Sequence, residues 1–274
     1  MAEITTLTTA IKELVRDGDT IVAEGFSHLV PFAAAHEIIR QERRNLTAIR
    51  LSADIVYDQM IGMGCIRKML FSWAGNPGVG LLHRFRDAIE NKWPAPLDIE
   101  EHSHAGLAEA LTAGATGLPF GILRGYTGTD LLQRTPSVTP LACPFTGETV
   151  MAIRAVNPDV AIIHAQQADR KGNVLMWGVT GIQKEAVFAS KRAIVTVEEI
   201  QDRLDTMANA VVLPASRITA VVHAPRGAWP SYAQGYYTRD NEFYRAWDDI
   251  ARDRDRFLEW MNENVVGTAV LQNG

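Results

Sequence analysis

Chemistry-bearing side chains cluster at the places where apolar runs stop. In AIIHAQQADRKGNVLMWG, residues 161–178, the run Val160 to Ile163 passes straight into His164, Gln166 and Gln167. Comparable exits occur at Glu24-Gly25-Phe26-Ser27-His28, at Ser72 with Asn76, at Glu101-His102-Ser103-His104, and at Glu198-Glu199. Imidazoles and carboxylates carry protons, hydroxyls and amides orient a ligand, and a glycine lets a backbone N–H approach a ligand oxygen. Gly25 fits that last role, or simply a tight turn. His102 and His104 alternate, which on a strand places them on one side with Glu101 and Ser103 on the other. Two histidines without a third ligand at sensible spacing do not make a zinc site, so they are read as hydrogen-bonded side chains, and no metal is expected. Gly62-Met63-Gly64 lacks the following glycine and lysine of a phosphate loop and is read as a turn. No nucleophile elbow, P-loop or dinucleotide fingerprint is present.

These exits need elements to hold them. Thr6-Leu7-Thr8-Thr9 followed by AIKELVRDGD reads as a capped helix closing at Gly18. Ile21 to Ala23 is a short strand, and Pro31 opens a helix with Ala34, Ile38 and Ile39 on one face. LTAIRLSAD and IRKMLFSWAG are strands, a helix spans about Leu81 to Glu90, and LDIEEHS is a short strand. AGLAEALTAG is a helix closed by Gly114. From 118 to about 150 glycines, prolines and threonines break the pattern into an irregular lobe. MAIRAVNPDVAIIHAQ restores strand character, and Asp169-Arg170-Lys171-Gly172 reads as a hairpin turn. Gly178 to Ala189 is a helix, AIVTVEE and VVHAP are buried strands, and NEFYRAWDDIARDRDRFLEWMNENV is one long helix. Strands apolar on both faces, alternating with helices, predict an α/β fold: a mainly parallel open sheet covered by helices, in one domain with an elaborated central lobe. In such sheets ligands gather at the carboxyl ends of the strands, where the polar exits lie.

Composition narrows the partners. The 274 residues carry 47% apolar and 22% charged side chains, with a formal net charge of −5. An acidic chain argues against nucleic acid or an anionic membrane as the main partner. Two cysteines, Cys65 and Cys143, in no metal-like spacing fit free thiols in a reducing cytoplasm. No apolar run approaches the ~18–20 residues of a membrane span. Spacing alone stops at an α/β enzyme or enzyme subunit.

Several stretches together resemble the family I coenzyme A transferases, specifically the α subunit of the glutaconate CoA-transferase type. They are DVAIIHAQQADRKGNVLMWG (159–178), AIVTVEEI (193–200), APRGAWPSYAQGYY (224–237) with DNEF (240–243), TGLPF (116–120) and EGF (24–26), in family order across about residues 5–260. The resemblance implies an acyl-CoA and a carboxylic acid as substrates, with no permanently bound cofactor. It implies a β subunit that supplies the attacking glutamate, and an α2β2 or larger heteromer. Gly25, Phe26, Ser27, His28, Ser72, Asn76 and Ser103 are the expected lining of the acyl pocket. No residue of this chain is assigned as catalytic; Glu101, His104 and Glu24 are the candidates for a base. The HAQQA stretch is expected to be mainly a hydrogen-bonded network holding neighbouring loops.

The same scaffold resembles α subunits of a ring-opening CoA-thioester hydrolase and of a decarboxylase, and a non-catalytic scaffold subunit is a further alternative. One departure bears on the substrate. The family's first loop carries an arginine, whereas here it reads Glu24-Gly25-Phe26-Ser27-His28-Leu29-Val30-Pro31. A second carboxylate buried beside Leu29 and Val30 would lack a charge partner unless a protonated His28 supplied one. The sequence therefore predicts an acyl group that is less anionic than glutaconyl, or bulkier and partly apolar.

Overall fold

The computed structural model describes residues 2–205 and 207–270. The chain opens with β1 (Glu3–Thr5), α1 (Leu7–Leu14), β2 (Thr20–Glu24), α2 (Phe32–Arg40), β3 (Leu46–Ala53), α3 (Ile55–Gly62), β4 (Ile66–Ala74), α4 (His83–Glu90) and β5 (Asp98–Glu101). It continues through α5 (His104–Thr116), β6 (Phe120–Leu123), α6 (Leu131–Arg134), β7 (Val138–Ala142), β8 (Thr149–Arg154), β9 (Val160–Asp169) and β10 (Val174–Met176). α7 (Gln183–Ala189), β11 (Arg192–Gln201), β12 (Val211–Leu213), β13 (Ala220–His223), α8 (Asn241–Arg252) and α9 (Arg254–Met261) follow.

The larger sheet runs β1-β13-β11-β9-β2-β3-β4-β5, and every neighbouring pair in that order is parallel. This is the expected open parallel sheet. Its central strands bury both faces: Ile162 and Ile194 pack with α1, α2, α3, α8 and α9, while Ile163 and Val195 pack with α5 and α7. Side chains that alternate faces yet are apolar throughout need cover on both sides, which explains the two helical layers. β10 folds back antiparallel on β9 across the turn at 169–173, as expected, and pairs in turn with β12.

Several expectations change. α5 runs through Gly114 and stops at Gly117, which adopts φ +74°. Gly114 is there for contact: a Cβ would sit 2.1 Å from the Val156 carbonyl oxygen. The C-terminal helix divides at Asp253, whose backbone is extended and whose side chain caps α9 by accepting from the Arg256 amide. The irregular lobe contains a second, antiparallel sheet in the order β6-β8-β7, packed on α5 through Ala110, Tyr126, Val138, Met151 and Ile153. MAIR belongs to that sheet and not to β9. α3 has no sequence expectation behind it, because all its residues are buried and its pattern lacks a polar face.

Candidate active site

β9 does not leave the sheet at His164. It continues to Asp169, paired with β11 as far as Gln201, whereas β2 stops beside it at Glu24, opposite Ile163. Two central strands thus project beyond their neighbour, and the loops after β2, β10 and β13 close over the projection. The polar residues of HAQQA are the means.

His164 is fully buried, with Nδ1 2.8 Å from Thr196 Oγ1 and Nε2 2.7 Å from Glu198 Oε1. Glu198 also accepts from Tyr237 Oη at 2.6 Å and from the Arg226 amide at 2.7 Å. Burial pulls its carboxyl upward, yet the bonds from His164, Tyr237 and Arg226 hold it below the usual carboxylate range. Gln166 accepts from the Trp177 amide and donates to the Trp177 carbonyl, standing in for a strand partner. Gln167 reaches Tyr236 Oη at 3.3 Å. Each group is bonded to the adjacent strand or to a neighbouring loop, so the stretch is a hydrogen-bonded network, as expected.

His28 ties the same loops from the other side. Its Nδ1 donates to the Val179 carbonyl at 3.0 Å, and its Nε2 accepts from the Gln234 amide at 3.0 Å. That pattern requires the neutral ring, and burial pushes its pKa below the usual imidazole value. His28 therefore does not replace an arginine as a cation. Gly25 serves the turn: a Cβ would meet the Leu29 carbonyl oxygen at 2.5 Å. Leu29 and Val30 are core residues with 0% exposure, leaving Phe26 and Ser27 as the loop's outward face.

Glu24 lies beneath this loop, sealed, 3.8 Å from the equally sealed Arg50 guanidinium. Arg50 donates to the carbonyls of Ala23 and Ser52 and lies 3.5 Å from Asp54, the cap of α3. Burial outweighs Arg50 and raises the Glu24 carboxyl to about 7. Its Oε2 is enclosed without a hydrogen-bond partner, and the side chain faces Arg50 beneath the loop and not the surface.

The ends of β3, β4 and β5 differ. Ser52 Oγ lies 2.8 Å from Nε2 of His104, an exposed residue at the first position of α5. Ser103 caps that helix, accepting from the Gly106 amide at 3.0 Å. Glu101 is exposed at the end of β5, and Trp73 is 41% exposed on β4. Ser72 Oγ donates to the Leu51 carbonyl at 2.6 Å, and Asn76 is buried with its amide on the Tyr244 carbonyl, so both are structural. The two histidines do not share a strand face. β5 ends at Glu101, and His102 turns inward to Tyr126 Oη at 3.2 Å and Glu100 at 3.3 Å, while His104 starts the helix. The chain direction changes between them, which breaks strand alternation.

Of the expected residues, the structure gathers Phe26 and Ser27 on the outward face of one loop and Glu101, Ser103 and His104 around the start of α5. Gly25, His28, Ser72, Asn76 and Glu24 support these positions from below. Among the described residues no three His, Cys, Asp or Glu side chains converge as metal ligands do. Cys65 and Cys143 are both free. A cleft of about 1020 Å³ lies elsewhere, between the ends of β1 and β13 and the C-terminal helices, lined by His36, Arg226, Trp229 and Trp260. Sequence reasoning missed Ser52, Arg50, Tyr126 and Tyr237. Arg50 had a signal, since a charge inside a buried strand must find partners.

Residues 4–224 match the coenzyme A transferase family. The chain belongs to that family. It is 58% identical over 268 residues to the A subunit of 3-oxoadipate CoA-transferase from Pseudomonas knackmussii, covering 98% of this chain and 95% of the relative. The A subunit of glutaconate CoA-transferase from Acidaminococcus fermentans is 34% identical, covering 97% and 88% of the two chains. The crystal structure of glutaconate coenzyme A-transferase from that organism superposes with a TM-score of 0.88 at 31% identity, over 97% of this chain and 89% of the other. The CoA-transferase resemblance read from the sequence thus holds for family, fold and subunit type. A CoA-transferase chain of this type implies a second, partner subunit. No helix among the described residues is long and apolar enough to cross a membrane.

Proposed function

We propose that this chain is the α subunit of a cytoplasmic heteromeric CoA-transferase acting on a dicarboxylic acid of the 3-oxoadipate class, with no permanently bound cofactor. The observation that carries this is the 58% identity, spread over nearly the full length of both chains, to the corresponding subunit of a 3-oxoadipate CoA-transferase. A glutamate carboxylate supplied by the β subunit performs the attack on the acyl-CoA thioester and expels the CoA thiolate, leaving an acyl–glutamyl anhydride. The thiolate returns to the glutamyl carbonyl and releases the acid, giving a glutamyl-CoA thioester. An acceptor carboxylate then repeats the sequence in reverse. Covalent catalysis of this kind divides one difficult exchange into smaller steps. This chain's share is the wall of the acyl site: Phe26 and Ser27 on one loop, Ser52, Trp73, Ser103 and His104 at the strand ends. Glu101 stands at its solvent margin. An α2β2 or larger assembly completes the site.

The sequence-based expectation of a less anionic acyl group is set aside. It rested on the missing loop arginine and on Leu29 and Val30 lying against the acyl chain; both of these residues are fully buried, and the identity to a 3-oxoadipate CoA-transferase subunit favours a dicarboxylic acid.

The test is reconstitution with the β subunit, an acyl-CoA donor and a panel of free acids. Acid-dependent exchange with 3-oxoadipate preferred is expected. CoA release without any acceptor acid would point to the hydrolase reading and overturn the proposal.

A further inference from the structure

We infer that Arg239 is the specificity-determining cation of the acyl site, receiving the far carboxylate of a dicarboxylic acyl group. The inference rests on the proposed function and adds the residue that recognises the second charge. A carboxylate leaving water needs a charged hydrogen-bond partner, and a guanidinium edge grips it with two N–H groups. Most cations near the strand ends are already committed. Arg50 is sealed and donates to the Ala23 and Ser52 carbonyls, with Glu24 and Asp54 beside it. Lys68 is paired with Glu100 at 3.0 Å. His28 is held neutral between Val179 and Gln234.

Arg239 is different. It reaches from the 230–240 segment to the turn after β4, where Nη2 donates to the Pro77 carbonyl at 2.6 Å. Its guanidinium stands over the Tyr244 ring, 3.7 Å from Cζ to the ring centroid. Stacking and one carbonyl bond fix the plane of the group. Among the described residues no carboxylate lies within ion-pair distance of it, although the buried Asp54 carboxylate beside Arg50 feels its charge at longer range. Nε is enclosed without a partner, whereas Nη1 is neither hydrogen-bonded nor sealed, so the end-on edge remains available.

The surroundings suit a methylene chain that ends in a charge. Trp73 folds over Gly75, where a Cβ would meet its ring at 2.5 Å, and it leaves 41% of itself exposed. Val79 and Leu81, beside the same turn, are 38% and 47% exposed. An apolar shelf with one unpaired guanidinium beside it matches a linear dicarboxylic acyl group.

The test uses the complex reconstituted with the β subunit and measures kcat and KM for CoA transfer to 3-oxoadipate and to 3-oxohexanoate. The second acid has the same chain length and lacks the far carboxylate. Arg239→Gln is expected to lower kcat/KM for 3-oxoadipate by about 100-fold, mainly through KM, and to keep 3-oxohexanoate within about 3-fold. Arg239→Lys should fall between, because a point charge lacks the fork. Lys184→Gln, on the exposed start of α7, is the control for loss of a solvated cation and should change neither. Equal losses for both acids would show Arg239 to be a prop for the 76–80 turn and overturn the inference, as would unchanged selectivity. A wild-type complex that takes both acids equally would instead remove the dicarboxylate reading itself.

Discussion

The carboxyl ends of β9 and β11 and those of β3, β4 and β5 belong to one sheet and carry similar residue types, yet they are built for opposite purposes. At β9 and β11 the buried polar side chains are bonded to neighbouring strands and loops: His164 and Tyr237 converge on Glu198, Gln166 pairs with residue 177, and His28 spans Val179 and Gln234. At β3 to β5 a serine, a histidine and a carboxylate remain at the surface, with Ser52 and His104 bonded to each other. Strand length decides the difference. Where two strands project past a neighbour, buried polar groups must be satisfied by the chain itself. Where β3 and β4 end opposite each other at Ala53 and Ala74 and a helix starts soon after β5, hydroxyls and imidazoles remain available to a ligand.

This contrast is sharpest in stability. Glu198→Ala removes the acceptor shared by His164, Tyr237 and the Arg226 amide in a site that is 5% exposed. A loss of ~3–5 kcal/mol in urea unfolding is expected, as for a buried network whose donors lose their shared carboxylate acceptor. A loss below ~1 kcal/mol would mean the network tolerates rearrangement, and the division into closed and open halves would blur.

A smaller effect separates the halves by pH. The His28 pKa lies below its ordinary 6.5, so as pH falls the unfolded chain takes up that proton first. The stability from the neutral ring is complete above about 6.5 and is lost progressively below it, by at most ~1.4 kcal/mol per pH unit for one proton. His28→Gln keeps a donor and an acceptor without titrating. The gap between wild type and this variant should therefore shrink from pH 8 to pH 5, read from denaturant midpoints. A constant gap would show that the imidazole is not held neutral. The smallest effect is on the open side. Ser52→Ala should change stability by no more than ~0.5 kcal/mol, because His104 is exposed and water replaces the lost bond. A larger loss would make this pair part of the scaffold.

The sequence carries the fold well where burial is periodic and long. AIVTVEE and DVAIIHAQ are apolar on both faces and became the central parallel strands. It carries less where elements are short or uniformly buried. β1, β10 and β12 span three residues each, too few for alternation to show, and α3 lacks a polar face altogether. The site was legible as a set of segments but not as a division of labour. Gly25, His28 and Asn76 have the residue types of a binding site, and only the contacts of their neighbours show them turned inward. Ser52 was hidden because a serine within a strand carries no signal until His104 arrives from another segment. The expected common strand face of His102 and His104 failed for a local reason, the start of α5 between them.

The ends of the sheet order have a bearing on how the chain behaves in a crowded solution. The two outermost strands of its parallel path, β1 and β5, are three and four residues long. A long, flat outer strand displays unpaired N–H and C=O groups that recruit further chains, and such short ones give little template. β5 has a second guard, since Thr135 Oγ1 donates to the Glu101 carbonyl and Ser137 Oγ to the Glu100 carboxylate. The lobe that read as an interruption in the sequence is thereby fastened along the sheet's exposed margin, where it acts as a fender against aggregation.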